Sequence, residues 1–207
     1  MIRKLSILLF AIGFIAFVYN GWSYFQATQS VQTIPEKTEA ATVDIDKKDE
    51  EAEEDNPDSS HTDVNPLTLN FDNKKGTEVA MLDIPKMDKR FTTYWGTDEK
   101  TLDQGVGMYV SKWTTVPNRK TGHTVLSGHR DTVFTGLDKL GQGDILEVHY
   151  NGETYEYEIT KTWVTDAEDR SVIVEKEDPT LTLTTCYPFD YIGYAPNRYI
   201  VQATLVE

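Results

Sequence analysis

The chain is 207 residues long with a formal net charge of −14, one cysteine and four histidines. That length accommodates one folded domain with extensions, the acidity argues against nucleic-acid binding, which needs phosphate-facing Lys and Arg, and a lone thiol excludes an internal disulfide framework. The charge is uneven: fourteen acidic residues face five basic ones over 26–78, while residues 1–25 carry only Arg3 and Lys4.

Residues 1–25 read as an N-terminal membrane anchor. Leu5 to Tyr19 is almost unbroken apolar sequence, and Trp22, Tyr24 and Phe25 follow as rings suited to a membrane–water boundary. Arg3 and Lys4 before the run orient the N-terminus to the cytoplasm and the remainder outside. A cleaved signal peptide fits less well, because Phe25-Gln26-Ala27 lacks a small residue at its first position. Residues 26–77 read as an acidic, disordered stalk. The stretch Asp49-Glu50-Glu51-Ala52-Glu53-Glu54-Asp55 repels itself, and the segment has little apolar surface to offset the entropy of ordering. No spacing in it resembles a calcium loop, and the chain shows no metal or cofactor motif.

Residues 78–207 read as the folded domain. Val79 to Ile84 is a strand that stops at Pro85, and Gly105 to Val110 and Thr124 to Ser127 are further short strands. Asp144 to Tyr150 alternates, Asn151-Gly152 follows, and Glu153 to Thr160 alternates again, which is a strong hairpin signal. Thr180 to Thr185 and Tyr199 to Val206 complete the strands. Asp98 to Asp103 and Thr132 to Leu140 are the two short helical candidates. Many short strands separated by turn residues predict an all-β domain, a closed or nearly closed β-barrel.

Cys186 lies at the end of the run Thr182-Leu183-Thr184-Thr185, just before Tyr187-Pro188. A proline there ends the strand, so the thiol sits at a strand end, where side chains can face a cleft. His129 follows Ser127-Gly128 at the end of another strand, and Gly128 is read as freeing the backbone there. His61 falls in the stalk, His149 on the hairpin wall, and His123 at a strand start. An imidazolium beside a thiol favours the nucleophilic thiolate and can return a proton to a leaving amine. The oxyanion formed on attack needs a fixed donor, and Arg198, heading the last strand, offers a permanently charged fork. The adjacency of Cys186 and Arg198 is an expectation from chain order. Thr185 is a candidate for steadying the nucleophile or touching substrate. Arg130 and Asp131 are read as structural.

Thr182-Leu183-Thr184-Thr185-Cys186 resembles the T-L-x-T-C signature of the sortases, with an upstream His and a downstream Arg in the same order. Leu126-Ser127-Gly128-His129-Arg130-Asp131 and Thr185-Cys186-Tyr187-Pro188-Phe189 resemble the class D branch. The resemblance implies an eight-stranded β-barrel cysteine transpeptidase of the cell wall. It implies a substrate bearing an LPxTx-type sorting signal, LPNTA-like in class D, cleaved after Thr through a thioester on Cys186. An amine of a peptidoglycan precursor then takes the acyl group. An L,D-transpeptidase is disfavoured because those enzymes hold His and Cys close together in sequence. A tethered binding module with Cys186 merely buried is the non-enzymatic alternative.

Overall fold

The computed structural model describes residues 10, 12–15, 17–18, 21–22, 30–34, 73–190, 193 and 195–206. Most of the apolar N-terminal run and of the acidic segment, His61 included, lies outside the described residues. Among the described residues no helix is long and apolar enough to cross a membrane. Those of the first twenty-two that are described are helical, and Phe10, Ile12, Phe14, Phe17 and Trp22 are exposed.

The described residues form nine strands: β1 (Val31–Gln32), β2 (Glu78–Ile84), β3 (Lys89–Trp95), β4 (Val106–Met108), β5 (His123–Ser127), β6 (Ile145–Tyr150), β7 (Glu153–Asp166), β8 (Thr180–Tyr187) and β9 (Asn197–Leu205). The hydrogen-bonded order is β1-β3-β2-β6-β7-β9-β8-β5-β4, and β3 also pairs with β4 in parallel. That last pairing closes β2 to β9 into an eight-stranded barrel and removes the free edges an open sheet would expose. The short β1 lies outside the ring, on the part of β3 that β4 leaves uncovered.

Local chemistry explains most of the elements. Pro85 stops β2 and opens a single 3-10 turn, Pro85–Met87. Asn151 and Gly152 both have positive φ, 51° and 80°, the backbone a two-residue hairpin turn of primed type needs. β7 runs on to Asp166, beyond the expected Thr160, because β9 pairs along its whole second half. β3 was not foreseen: Lys89-Arg90-Phe91-Thr92-Thr93-Tyr94-Trp95 buries Phe91, Thr93 and Trp95 alternately, a period-2 pattern hidden by two threonines and a basic start. Of the helical candidates, one is the four-residue helix α1 (Glu99–Leu102), and the other reduces to a 3-10 turn at Leu137–Lys139.

The barrel interior is filled by Leu82, Ile84, Phe91, Trp95, Met108, Leu126, Phe134, Leu146, Val148, Tyr157, Leu181, Leu183 and Val201, among others. Phe134 reaches in from the segment after β5 and meets Phe91 edge-on at 5.9 Å between ring centres. On the wall of β2, β3 and β6, Asp83 is buried and takes two hydrogen bonds from Arg90, at 2.7 and 2.6 Å. His149 Nε2 lies 3.0 Å from the same carboxylate. Burial alone would raise the Asp83 pKa, but its bonds to Arg90 and His149 outweigh this and hold the carboxyl below its ordinary range. His149 is therefore part of a structural ion-pair network, in keeping with its expected place on the barrel wall.

Candidate active site

Three neighbouring strands, β5, β8 and β9, bring the predicted residues together. Side chains alternate along β8, so Leu181 and Leu183 enter the core and Cys186 takes the opposite face. Cys186 is partly exposed. In the antiparallel β8–β9 pair Cys186 stands directly across from Arg198. Directly opposed residues have neighbouring side chains, with Cβ atoms about 4.5–5.5 Å apart. The strand adjacency expected from chain order is thus a matter of register.

β5 runs parallel to β8, with Ser127 paired to Thr184. His129 and Cys186 each lie two residues past that pair, so both leave at the same end of the barrel. Two bonds hold the strand ends together: the Gly128 amide donates to the Thr184 carbonyl at 3.2 Å, and the Thr185 hydroxyl donates to the Gly128 carbonyl at 2.7 Å. Thr185 is buried, and this bond occupies its hydroxyl. Gly128 is needed for space, contrary to the expectation of special backbone freedom. It is absent from the positive-φ glycines, whereas a Cβ there would come within 2.6 Å of Val133 Cγ2 and 2.9 Å of Phe134 Cδ2.

His129, Cys186 and Arg198 line one cleft of about 390 Å³, together with Thr97, Leu102, Tyr109, Asp166, Asp169 and Ile173. The outer wall is the segment between β7 and β8. His123, which sequence reasoning left as a strand start, holds that wall. It is fully buried, with Nδ1 2.8 Å from the Val174 carbonyl and Nε2 2.7 Å from the Thr182 hydroxyl. Burial pushes its pKa below the ordinary histidine value. Farther along, Asp169 accepts from Ser171 and from Thr165, and these bonds hold its carboxyl below the usual range.

Two residues near the site were missed or undervalued. Asp103, at the end of α1, has its carboxylate 3.7 Å from His129 Nε2. Nothing in the sequence marked it, since only the folded chain brings it to His129. Arg130 is buried, and its two terminal nitrogens donate at 2.9 Å to the carbonyls of Pro188 and Gly193. It thereby fastens the β8–β9 connection to the segment that carries His129. Arg198 Nη1 donates to the Ala195 carbonyl of the same connection at 3.1 Å and to the carbonyl of Asn197, the first residue of β9, at 3.0 Å. Among the described residues Nε and Nη2 of this fork have no hydrogen-bond partner. Tyr187, Phe189 and Tyr199 pack together beside these strand ends, with ring centres 5.3–6.3 Å apart.

With that geometry in hand, the chain can be compared with known proteins. The family described as Sortase domain matches residues 82–206.

The chain belongs to the sortase family.

Sortase D of Bacillus subtilis (strain 168) is 36% identical over 203 residues, covering 97% of each chain. The catalytic domain of SrtD from B. anthracis is 56% identical, covers 69% of this chain and 97% of that one, and superposes with a TM-score of 0.58. A sortase D5 transpeptidase of Clostridium perfringens is 27% identical, with 65% of this chain and 82% of that one covered and a TM-score of 0.56. This sortase is accordingly a cysteine transpeptidase of class D, within a family that anchors proteins to the cell wall.

Proposed function

We propose that this sortase cleaves an LPxTx-type sorting signal, LPNTA-like in preference, after its Thr, and passes the acyl group to an amine of a peptidoglycan precursor. Cys186 is the nucleophile, His129 moves the proton and Arg198 stabilises the oxyanion. The observation that carries this reading is the register that sets the chain's one cysteine directly across from Arg198 at the mouth of the His129 cleft.

The steps follow from the chemistry of the three groups. The Cys186 thiolate adds to the Thr carbonyl carbon, and the oxyanion takes hydrogen bonds from the free face of the Arg198 fork. The carbonyl re-forms, the C–N bond to the next residue breaks, and the leaving amine takes its proton from His129. A thioester remains on Cys186. The incoming amine adds to that thioester and gives a proton to His129. The C–S bond then breaks, a new amide is released and the thiolate is restored. Thr185, its hydroxyl already bonded to Gly128, is a positioning residue in this scheme. Asp103, its carboxylate 3.7 Å from His129 Nε2, is a positioning residue that orients the ring. The apolar residues 1–25 hold the enzyme in the cytoplasmic membrane with the barrel outside.

The test uses the full chain in detergent micelles with a quenched LPNTA peptide. Cys186→Ala and His129→Ala should abolish cleavage. Arg198→Lys should lower kcat/KM by at least about a hundredfold, the loss typical of removing an oxyanion donor, because the charge stays but the fork does not. Undiminished cleavage by Cys186→Ala would overturn the mechanism. A methanethiosulfonate reagent should label Cys186 in the folded chain; labelling only after denaturation would favour a binding module instead.

A further inference from the structure

The two sides of Cys186 differ. The strand order β9-β8-β5-β4 puts Arg198 to one side of the thiol and His129 to the other. On the His129 side the wall is the connection between β3 and β4, which carries α1, and Thr97 and Leu102 of that connection line the cleft. In the reaction proposed above, His129 gives a proton to the leaving amine and takes one from the incoming amine. Both amines therefore pass on this side.

Asp103 is the carboxylate at that place. Its Oδ1 lies 3.7 Å from His129 Nε2, and the two side chains are 46% and 37% exposed. The end of α1 is held: the Asp103 amide donates to the Glu99 carbonyl at 2.9 Å, and Leu102 lies so close over Gly107 that a Cβ there would come within 2.9 Å of Leu102 Cδ2. The carboxylates on the opposite wall are engaged. Asp169 accepts from Ser171 and Thr165, and Asp166 accepts from the Glu168 amide at 2.8 Å. Among the described residues the Asp103 carboxylate accepts no hydrogen bond and has no ion pair except that with His129. At 3.7 Å that contact is too long for a hydrogen bond, so its lone pairs stay open to a ligand. A carboxylate that only braces a catalytic histidine sits on the inner ring nitrogen, Nδ1, whereas Asp103 meets the outer one.

We infer that Asp103 is the counter-ion of the acceptor: it receives the acceptor as an alkylammonium ion and sets the nitrogen beside His129 and the Cys186 thioester. The inference rests on the transpeptidase reading given above. An alkylamine titrates near the lysine value of about 10.4, so the ammonium form is the one that reaches the cleft at neutral pH. Its three N–H donors can bond the open carboxylate. To react, the ammonium releases one proton to water and attacks the thioester carbon with the freed lone pair. It gives a second proton to His129 as the new amide forms and the C–S bond to Cys186 breaks. Water, the competing acceptor, has no charge for Asp103 to hold, so the same residue favours transfer over hydrolysis.

Two nucleophiles test this with the full chain in detergent micelles and the LPNTA peptide. Nα-acetyl-lysine amide is cationic at neutral pH and hydroxylamine is uncharged, and both draw on one acyl-enzyme. Asp103→Asn should raise KM for the lysine amide about fivefold relative to KM for hydroxylamine, the upper end for an exposed ion pair. Asp103→Lys should raise that ratio further, and Asp103→Glu should return it toward the parent value. In the parent, salt raised from roughly 0.05 to 0.5 M should lift the lysine-amide KM and spare that of hydroxylamine, because screening reaches only the charged acceptor. The salt series needs no variant and stands even where a substitution unfolds the chain. A residue that merely orients His129 would change the rates with both nucleophiles and leave the KM ratio where it was. An unchanged ratio in Asp103→Asn or Asp103→Lys therefore overturns the inference and leaves the transpeptidase reading standing, and so does a parent ratio that ignores salt. A parent that cleaves the peptide and transfers to neither nucleophile overturns it too. A parent that forms no thioester on Cys186, read by intact-protein mass, sinks the transpeptidase reading and the inference with it.

Discussion

At the scale of single residues, the site depends on side chains that hold its segments together. Arg130 is the chief case. A buried guanidinium has to be satisfied, and here two carbonyls of one connection do so. Arg130→Met should remove both bonds and cost about 1–3 kcal/mol, at roughly 0.5–1.5 kcal/mol for each, because Gly193 is exposed and Pro188 only partly buried, so water can reach the freed carbonyls. Urea unfolding measures the loss, and kcat/KM should fall because Arg198 bonds to the same connection. Gly128→Ala should cost about 1–3 kcal/mol, the usual result of forcing a methyl into filled space. His123 supplies a pH dependence. Its folded pKa lies below its unfolded value near 6.5, so the fold prefers the neutral ring. Stability should be full above pH ~6.5 and fall as the pH drops below it, where the unfolded chain takes up a proton that the folded chain resists. His123→Gln should flatten that limb in thermal melts recorded from pH 5 to 8.

At the scale of elements, the arrangement of the candidate site is a consequence of strand order. Cys186 and Arg198 meet because β8 and β9 are antiparallel neighbours, and His129 joins them because β5 is parallel to β8 on the other side. A one-residue slip of β9 would send Arg198 to the opposite face. The long β7–β9 ladder, paired from Tyr157 to Asp166, opposes such a slip. The β6–β7 hairpin was legible because Asn151-Gly152 is an unambiguous turn pair. Gly152→Val, a β-branched residue forced to a φ of 80°, should destabilise the domain by at least about 1 kcal/mol. Matched denaturation curves against the parent read that loss. β3 was not legible, because alternation carried by Thr93 between Phe91 and Trp95 looks polar until its partners on β2 and β4 bury it.

At the scale of the whole molecule, closure of β3 on β4 makes the core continuous and fixes one end of the barrel as the site. The Asp83–Arg90–His149 network stiffens the wall made by β2, β3 and β6. Its lowered Asp83 pKa gives stability that is present above the unfolded carboxylate value and lost as pH falls through the folded one. Arg90→Ala should cost about 3–5 kcal/mol, because it strips the partner from a buried carboxylate, and it should bring forward the acid unfolding midpoint.

Sequence alone determined most of the strands and the chemistry they could carry, but not β1 or β3. Alternation, Pro85, Pro188 and the Asn-Gly turn depend on a few neighbouring residues, so they can be read locally. The Cys186 signature, with His129 and Arg198 in order, was legible for the same reason. Tertiary structure alone decided which residues meet. The bonds from Arg130 to Pro188 and Gly193, the contact of Asp103 with His129, and the seat of Ser30 beside Gly105 each join positions far apart in the chain. Their energies come from burial and from carbonyls left open by the fold, and no local pattern records either. The same reason governs β1: two ordinary residues, Val31 and Gln32, become a strand only because β3 offers them an unpaired edge.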